Sequence, residues 1–146
     1  MPTYIVPVDF SKTSESALDH AIKLTRENGG KLVLLHALSS APMAMAGPYE
    51  GTPDMLIEYE KAEREEAERQ MNKLIRKKKL KPGSFRSVIL RRGDPAQAIA
   101  NEAKKARASM IIMGSHGRTG LKRLVLGSVA ERTLRYAHCP VLIVKK

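Results

Sequence analysis

Short apolar runs alternate with amphipathic stretches of helical period along nearly the whole chain, and that alternation leaves few folds open. Strands joined through helices lie parallel, because the crossover helix carries the chain back to the start of the next strand, so the pattern predicts an α/β fold with a mostly parallel sheet. Five strands are expected. They are "TYIVPV" from Thr3 to Val8, "KLVLLHA" from Lys31 to Ala37, "FRSVILRR" from Phe85 to Arg92, "SMIIM" from Ser109 to Met113, and "VLIVK" from Val141 to Lys145. The near-continuous apolar character of the second, fourth and fifth suits strands covered on both faces. Phe85 to Arg92 is more mixed, as an outer strand would be.

Four helices fit between these strands. The first follows Ser11 as N-cap, with Ala17, Leu18, Ala21, Ile22 and Thr25 spaced by three and four, and stops at Asn28-Gly29-Gly30. The second is expected from Pro53 to Lys79, with Met55, Tyr59, Ala62, Ala67, Met71, Leu74 and Ile75 on one face, ended by Lys81-Pro82-Gly83. The third opens at Asp94 as N-cap with Pro95 in the first helical position, where a missing N–H costs nothing. The fourth is expected from Ser128 to Tyr136, before Cys139-Pro140 resets the chain. Ser39 to Thr52 is the one long irregular connection, expected as a covering or disordered loop. No internal repeat and no low-complexity tail is visible.

A chain of 146 residues is large enough for a core between a sheet and its helices, and we expect a single domain over residues 1–146. Its only cysteine, Cys139, rules out an intrachain disulfide, a multi-cysteine zinc cluster and a Cys-x-x-Cys redox pair. The start "MPTYIVPVDF" lacks a basic segment followed by a long apolar one, and no run approaches the ~20 residues that span a bilayer. A soluble, untargeted, cytoplasmic protein with no membrane partner is the expectation. The 26 Lys and Arg against 15 Asp and Glu give a net charge of +11, which favours an anionic partner. Much of the excess falls between Arg76 and Arg92. It reads first as a solvated helix end and loop, since lysines suit a helix C-terminus. Nucleic acid is the lesser reading, because aromatic residues are only 4% of the chain and few rings are left for base stacking.

The stretch "IIMGSHGRTGLKRLVLGSVAERT" holds the chemistry. In an open parallel sheet, ligands bind beyond the carboxyl ends of strands, where successive connections leave on opposite faces. Gly114 stands at that end of the fourth strand, followed after two residues by Gly117 and after nine more by Gly127 and Ser128, where the helix begins. Glycine lets main-chain N–H groups approach an anion without a Cβ in the way, and a helix N-terminus adds unpaired donors and a positive dipole end. Together they predict a phosphate cradle. Ser128 offers a hydroxyl, and Arg118, Lys122 and Arg123 balance negative charge. The spacing matches neither a Walker A loop nor a Gly-x-Gly-x-x-Gly fingerprint.

The Gly-x2-Gly-x9-Gly-Ser motif, the start "IVPVDFS", "LVLLHAL", the "GDPAQAI" turn and the ending "CPVLIVKK" resemble the universal stress protein family over almost the whole chain. The resemblance implies a three-layer α/β/α fold with strand order 3-2-1-4-5, Rossmann-like and similar to the adenine nucleotide alpha hydrolases. It also implies the branch that holds ATP, with Mg or Mn. On that likeness Gly114, Gly117, Gly127 and Ser128 surround the phosphates and ribose. Ser115, His116, Arg118, Thr119, Gly120, Val129 and Ala130 match the phosphate-side contacts. Pro7, Val8 and Asp9 match the adenine and ribose side, and Ala37, smaller than the family's usual branched residue, touches adenine through its backbone.

Asp9 admits two readings from its own position: a carboxylate for ribose or a hydrated divalent ion, or a cap for the following helix. His36 and His116 have no carboxylate fixed beside them by local spacing; strand termination and loop polarity account for them, and His20 and His138 are assigned no chemistry. No catalytic residue is assigned, and the metal ligands are left open. The expected function is an ATP-binding regulatory protein, at most a weak ATPase, whose occupancy orders residues 118–126 and the 39–52 segment. The alternative is a nucleotide-independent basic module for nucleic acid or another polyanion. A hydrolase lacks a nucleophile elbow. The apolar last strand at a sheet edge invites pairing with a second copy, and the resemblance likewise implies a homodimer through Val141 to Val144.

Overall fold

A computed structural model describes residues 1–38, 53–91, 93–116 and 126–145. In chain order the elements are β1 (Thr3–Pro7), α1 (Lys12–Asn28), β2 (Lys31–Leu38), α2 (Pro53–Lys77), β3 (Phe85–Arg91), α3 (Pro95–Lys105), β4 (Met110–Gly114), α4 (Ser128–Tyr136) and β5 (Val141–Val144). Every strand pairing is parallel, and the sheet order is β3-β2-β1-β4-β5, as expected. Ile5 stands at the centre, paired with Val33 on one side and Ile111 on the other.

Side chains alternate across the pleat and so supply two cores. On one face Val6, Val8, Leu34 and Ile112 pack with Ala17, Leu18 and Ala21 of α1 and Met71 and Leu74 of α2. On the other, Ile5, Val33, Leu35 and Ile111 pack with Ile99 and Ala103 of α3 and Ala130 of α4. This is a three-layer α/β/α sandwich. β3 and β5 are its edges.

The helix starts follow their capping residues. Ser11 Oγ accepts the Ser14 amide at 3.2 Å, and Asp94 Oδ1 accepts the Ala96 amide at 3.1 Å with Pro95 next to it. The ends differ slightly from expectation. β4 is shifted by one residue and takes in Gly114, which pairs with Val144. α2 stops at Lys77, because Lys79 turns left-handed (φ 53°) and the amides of Lys79 and Leu80 bond back to Arg76 and Ile75. The long apolar face expected for α2 is only half used. Ala67, Met71 and Leu74 are buried, whereas Met55 and Ala62 are exposed. The expected 39–52 connection and Arg92 lie outside the described residues, as do positions 117–125.

Candidate functional site

β1 and β4 are neighbours, yet β1 leads into α1 on one face of the sheet and β4 leads toward α4 on the other. The divergence opens a crevice beyond their carboxyl ends. A cleft of about 400 Å³ lies there, within the range of small-molecule sites. Pro7, Val8 and Asp9 reach it from the end of β1, Ala37 from β2, and Gly114 and His116 from the end of β4. Gly127, Ser128, Val129 and Ala130 close it from the start of α4. Eleven of the residues expected at the site have described positions, and ten of these line this single cleft. Ser115 is beside it, with its amide bonded to Val144 O at 3.0 Å. Gly117, Arg118, Thr119 and Gly120, with the expected charge-balancing Lys122 and Arg123, lie outside the described residues.

Gly114 and Gly127 are required by packing rather than by unusual dihedrals. A Cβ on Gly114 would lie 2.6 Å from Cγ2 of Thr13, so glycine is what allows the first turn of α1 to close on the end of β4. At Gly127, where φ is −61°, a Cβ would come within 3.0 Å of His116 Cα and Ser115 O. The Gly127 amide already donates to Ser115 O at 2.6 Å and is engaged in closing the loop. Donors left to an anion are found at the start of α4. Its N-cap, Gly127, supplies no side-chain hydrogen bond, and the amides of Ser128, Val129 and Ala130 open the helix without intrahelical acceptors. They carry the positive end of the helix dipole into the cleft.

The rest of the lining is largely apolar, from Val8, Leu35, Ala37, Ile99 and Met113. Asp9 is not the cap of α1, which is Ser11; its Oδ1 accepts the Ser11 amide at 3.0 Å and fixes the turn before the helix, and the residue also lines the cleft. His36 is not a strand terminator, since β2 continues to Leu38. Its Nδ1 is 2.7 Å from the Val8 carbonyl oxygen, which can only accept, so Nδ1 carries a proton. The ring also packs on Phe10 (centroids 4.7 Å apart), which is held at φ 67°. His36 thereby pins the β1–α1 turn. At the other end Ser115 Oγ is 3.0 Å from Nδ1 of His116, and among the described residues no carboxylate bonds to that ring.

Among the described residues no group of three or more His, Cys, Asp or Glu side chains could hold a metal by itself. Asp9 is the one carboxylate among the described residues that line the cleft. The sequence reading passed over Ser14, Leu35, Pro95, Ile99 and Met113 as lining residues. Pro95 and Ile99 could have been found from the topology: α3 leaves the carboxyl end of β3, so its first turns face the same mouth. Ser14 is buried, and its hydroxyl accepts the Asp9 amide and donates to Ser11 O.

The profile of the Universal stress protein family matches residues 2–145. The chain belongs to the universal stress protein family. Universal stress protein MJ0531 of Methanocaldococcus jannaschii is 37% identical over 142 residues, covering 97% of this chain and 81% of the relative. The solved structure of MJ0577 from the same organism superposes with a TM-score of 0.81 at 30% identity, covering 98% of this chain and 94% of that one. A universal stress protein from Archaeoglobus fulgidus, solved in complex with dAMP, shares the fold with a TM-score of 0.62 at 24% identity, covering 99% and 97%. No described helix of this universal stress protein is long and apolar enough to cross a membrane.

Proposed function

We propose that this universal stress protein, acting as one domain over residues 1–146, is a nucleotide-dependent regulatory protein that binds ATP in the cleft between β1 and β4. The carrying observation is the uncapped start of α4, whose first amides open into a cleft with apolar walls. The triphosphate lies on those amides and the Ser128 hydroxyl, with Gly114 and Gly127 letting the turns around the cleft close on Thr13 and on Ser115 and His116. Adenine packs in the apolar part beside Val8 and Ala37, and Asp9 accepts from the ribose. Mg or Mn would neutralise phosphate charge here, and Asp9 would be the cleft side chain to help hold it. The dAMP held by the Archaeoglobus relative supports an adenine nucleotide on this fold. Among the described residues no carboxylate bonds to the Ser115–His116 pair, and the function proposed is binding, with turnover at most slow and the bound state as the signal. The protein acts in the cytoplasm as a homodimer joined along β5.

Ser128→Asp tests the phosphate placement. Ser128 is exposed at the first position of α4, where an acidic side chain suits the dipole, so the fold keeps its stability while the new charge repels the triphosphate. Calorimetric titration should show ATP affinity reduced by about tenfold or more, the Coulomb cost expected of a partly exposed like charge at this distance. Unchanged affinity with an unchanged melting temperature would remove the phosphates from this site.

A further inference from the structure

A second cavity of about 480 Å³ lies between α1 and the last turn of α2, away from the ATP cleft. Its walls carry Lys23 and Arg26 from α1 and Lys77, Lys78 and Lys79 from the end of α2, against only Asp19 and Glu27. Ile22 is the one apolar residue among the described residues that line it. The charges are not equivalent. Lys78 is largely covered and bonds to Glu15 at 2.9 Å and Asp19 at 2.7 Å, while Lys77 joins Glu15 at 2.6 Å, so these two fasten α2 to α1. Lys23 meets Glu27 only at 3.9 Å with both side chains exposed. Among the described residues, Arg26 and Lys79 have no carboxylate partner. The fastening joins the two walls, and Arg26 and Lys79 leave a surplus of positive charge along the groove. Arg76 and Lys81, both exposed, extend it past the helix end.

We propose that this groove binds the phosphodiester backbone of duplex nucleic acid without reading its sequence. A two-walled groove with cations on both sides suits a strand of phosphates, and among the described residues no aromatic lines it as the stacking platform that single strands use. A membrane surface fits less well. The large exposed apolar side chains, Met1, Met55, Ile57, Leu134 and Tyr136, do not line the groove and so provide no anchor beside its charges. The parallel strands put the ATP cleft at their carboxyl ends and the ends of α1 and α2 at the opposite pole, so the two sites are separable.

The test is fluorescence anisotropy of a labelled 20-base-pair DNA duplex against salt, with ATP titrations run on the same preparations. Arg26→Ala/Lys79→Ala should weaken binding by roughly tenfold at low salt and reduce the salt slope by about 2, one unit for each lost phosphate contact, with ATP affinity unchanged. Lys12→Ala/Lys61→Ala removes the same charge at exposed sites outside the groove and should leave the slope as it was. Equal losses in the two double variants would reduce the effect to net charge and overturn the groove. So would failure of the wild-type protein to bind duplex at 50 mM salt, or preference for phosphatidylglycerol vesicles over duplex. Loss of ATP binding by Ser128→Asp leaves this result untouched, so either site can fail alone.

Discussion

Gly114 and Thr13 show how a site can depend on one missing atom. The Cβ that alanine would add at Gly114 meets Thr13 Cγ2 at 2.6 Å and the Thr13 backbone carbon at 3.1 Å, so one contact is with a side chain and the other with a helix that must shift. Gly114→Ala should therefore cost about 1–3 kcal/mol by overpacking. Combining it with Thr13→Ser, which deletes the methyl but not the backbone contact, should recover part of that loss. Denaturant unfolding of the four-member cycle measures it; strict additivity would show that the two positions do not meet. That Gly114 and Gly127 line one cleft was legible in the sequence, but the packing that requires them was not. From sequence they read as donors or positive-φ residues, whereas the structure uses Gly127 as a close contact to Ser115 and His116, a three-dimensional approach that no local spacing encodes. His36 was misread in the same way, because its partner, the Val8 carbonyl, is 28 residues distant.

At the scale of elements, the alternation of apolar runs and capped helices carried nearly all the information. Ser11, Asp94 and Pro95 mark helix starts through bonds that span two or three residues, and such short-range signals survive in a sequence. Helix ends were less legible. Lys79 (φ 53°) and Arg107 (φ 51°) each take the left-handed position that glycine usually fills, with back-bonded amides completing the turn after α2 and α3. Arg107→Gly should raise stability by up to ~1 kcal/mol in chemical denaturation, since glycine adopts that conformation without the Cβ penalty; a loss would mean that the guanidinium does more than end a helix. The junction of α1 with α2 adds a pH dependence. Hydrogen bonds from Lys77 and then Lys78 hold the Glu15 carboxyl below its ordinary value. Burial alone would lower the Lys78 ammonium, but its bonds to Asp19 and Glu15 outweigh that and raise it. The depressed carboxyl stabilises the fold fully above about pH 4.3, its ordinary value, and the contribution fades as pH falls through the folded value. The raised ammonium contributes fully below about pH 10.4 and loses its effect as pH climbs through its folded value. Glu15→Gln should thus melt at a lower temperature than wild type at pH 7, with the gap closing under acid. A gap that persists at pH 2.5 would assign the effect to shape instead of charge.

For the whole molecule, the sheet order decides what each edge and pole can do. With β1 and β4 at the centre, the crevice opens in the middle of one pole, and β5 is left as an edge joined only to β4. All four residues of β5 are only partly buried. The Ile111 amide bonds to Pro140 O at 2.9 Å and the Ser115 amide to Val144 O at 3.0 Å, so residues 140, 142 and 144 face β4. By the two-residue period, the amides of Val141 and Ile143 point out along the open edge. That polarity makes the proposed homodimer testable without damage to the sheet. Val141→Pro removes an outward N–H and leaves the β4 ladder intact, the one setting in which a strand accepts proline. If two copies join through this edge, light scattering should find the variant monomeric at concentrations where wild type is dimeric, with circular dichroism and ATP affinity retained. A folded Val141→Pro dimer would place the contact elsewhere, and the exposed Leu134 and Tyr136 of α4 would be the next surface to alter.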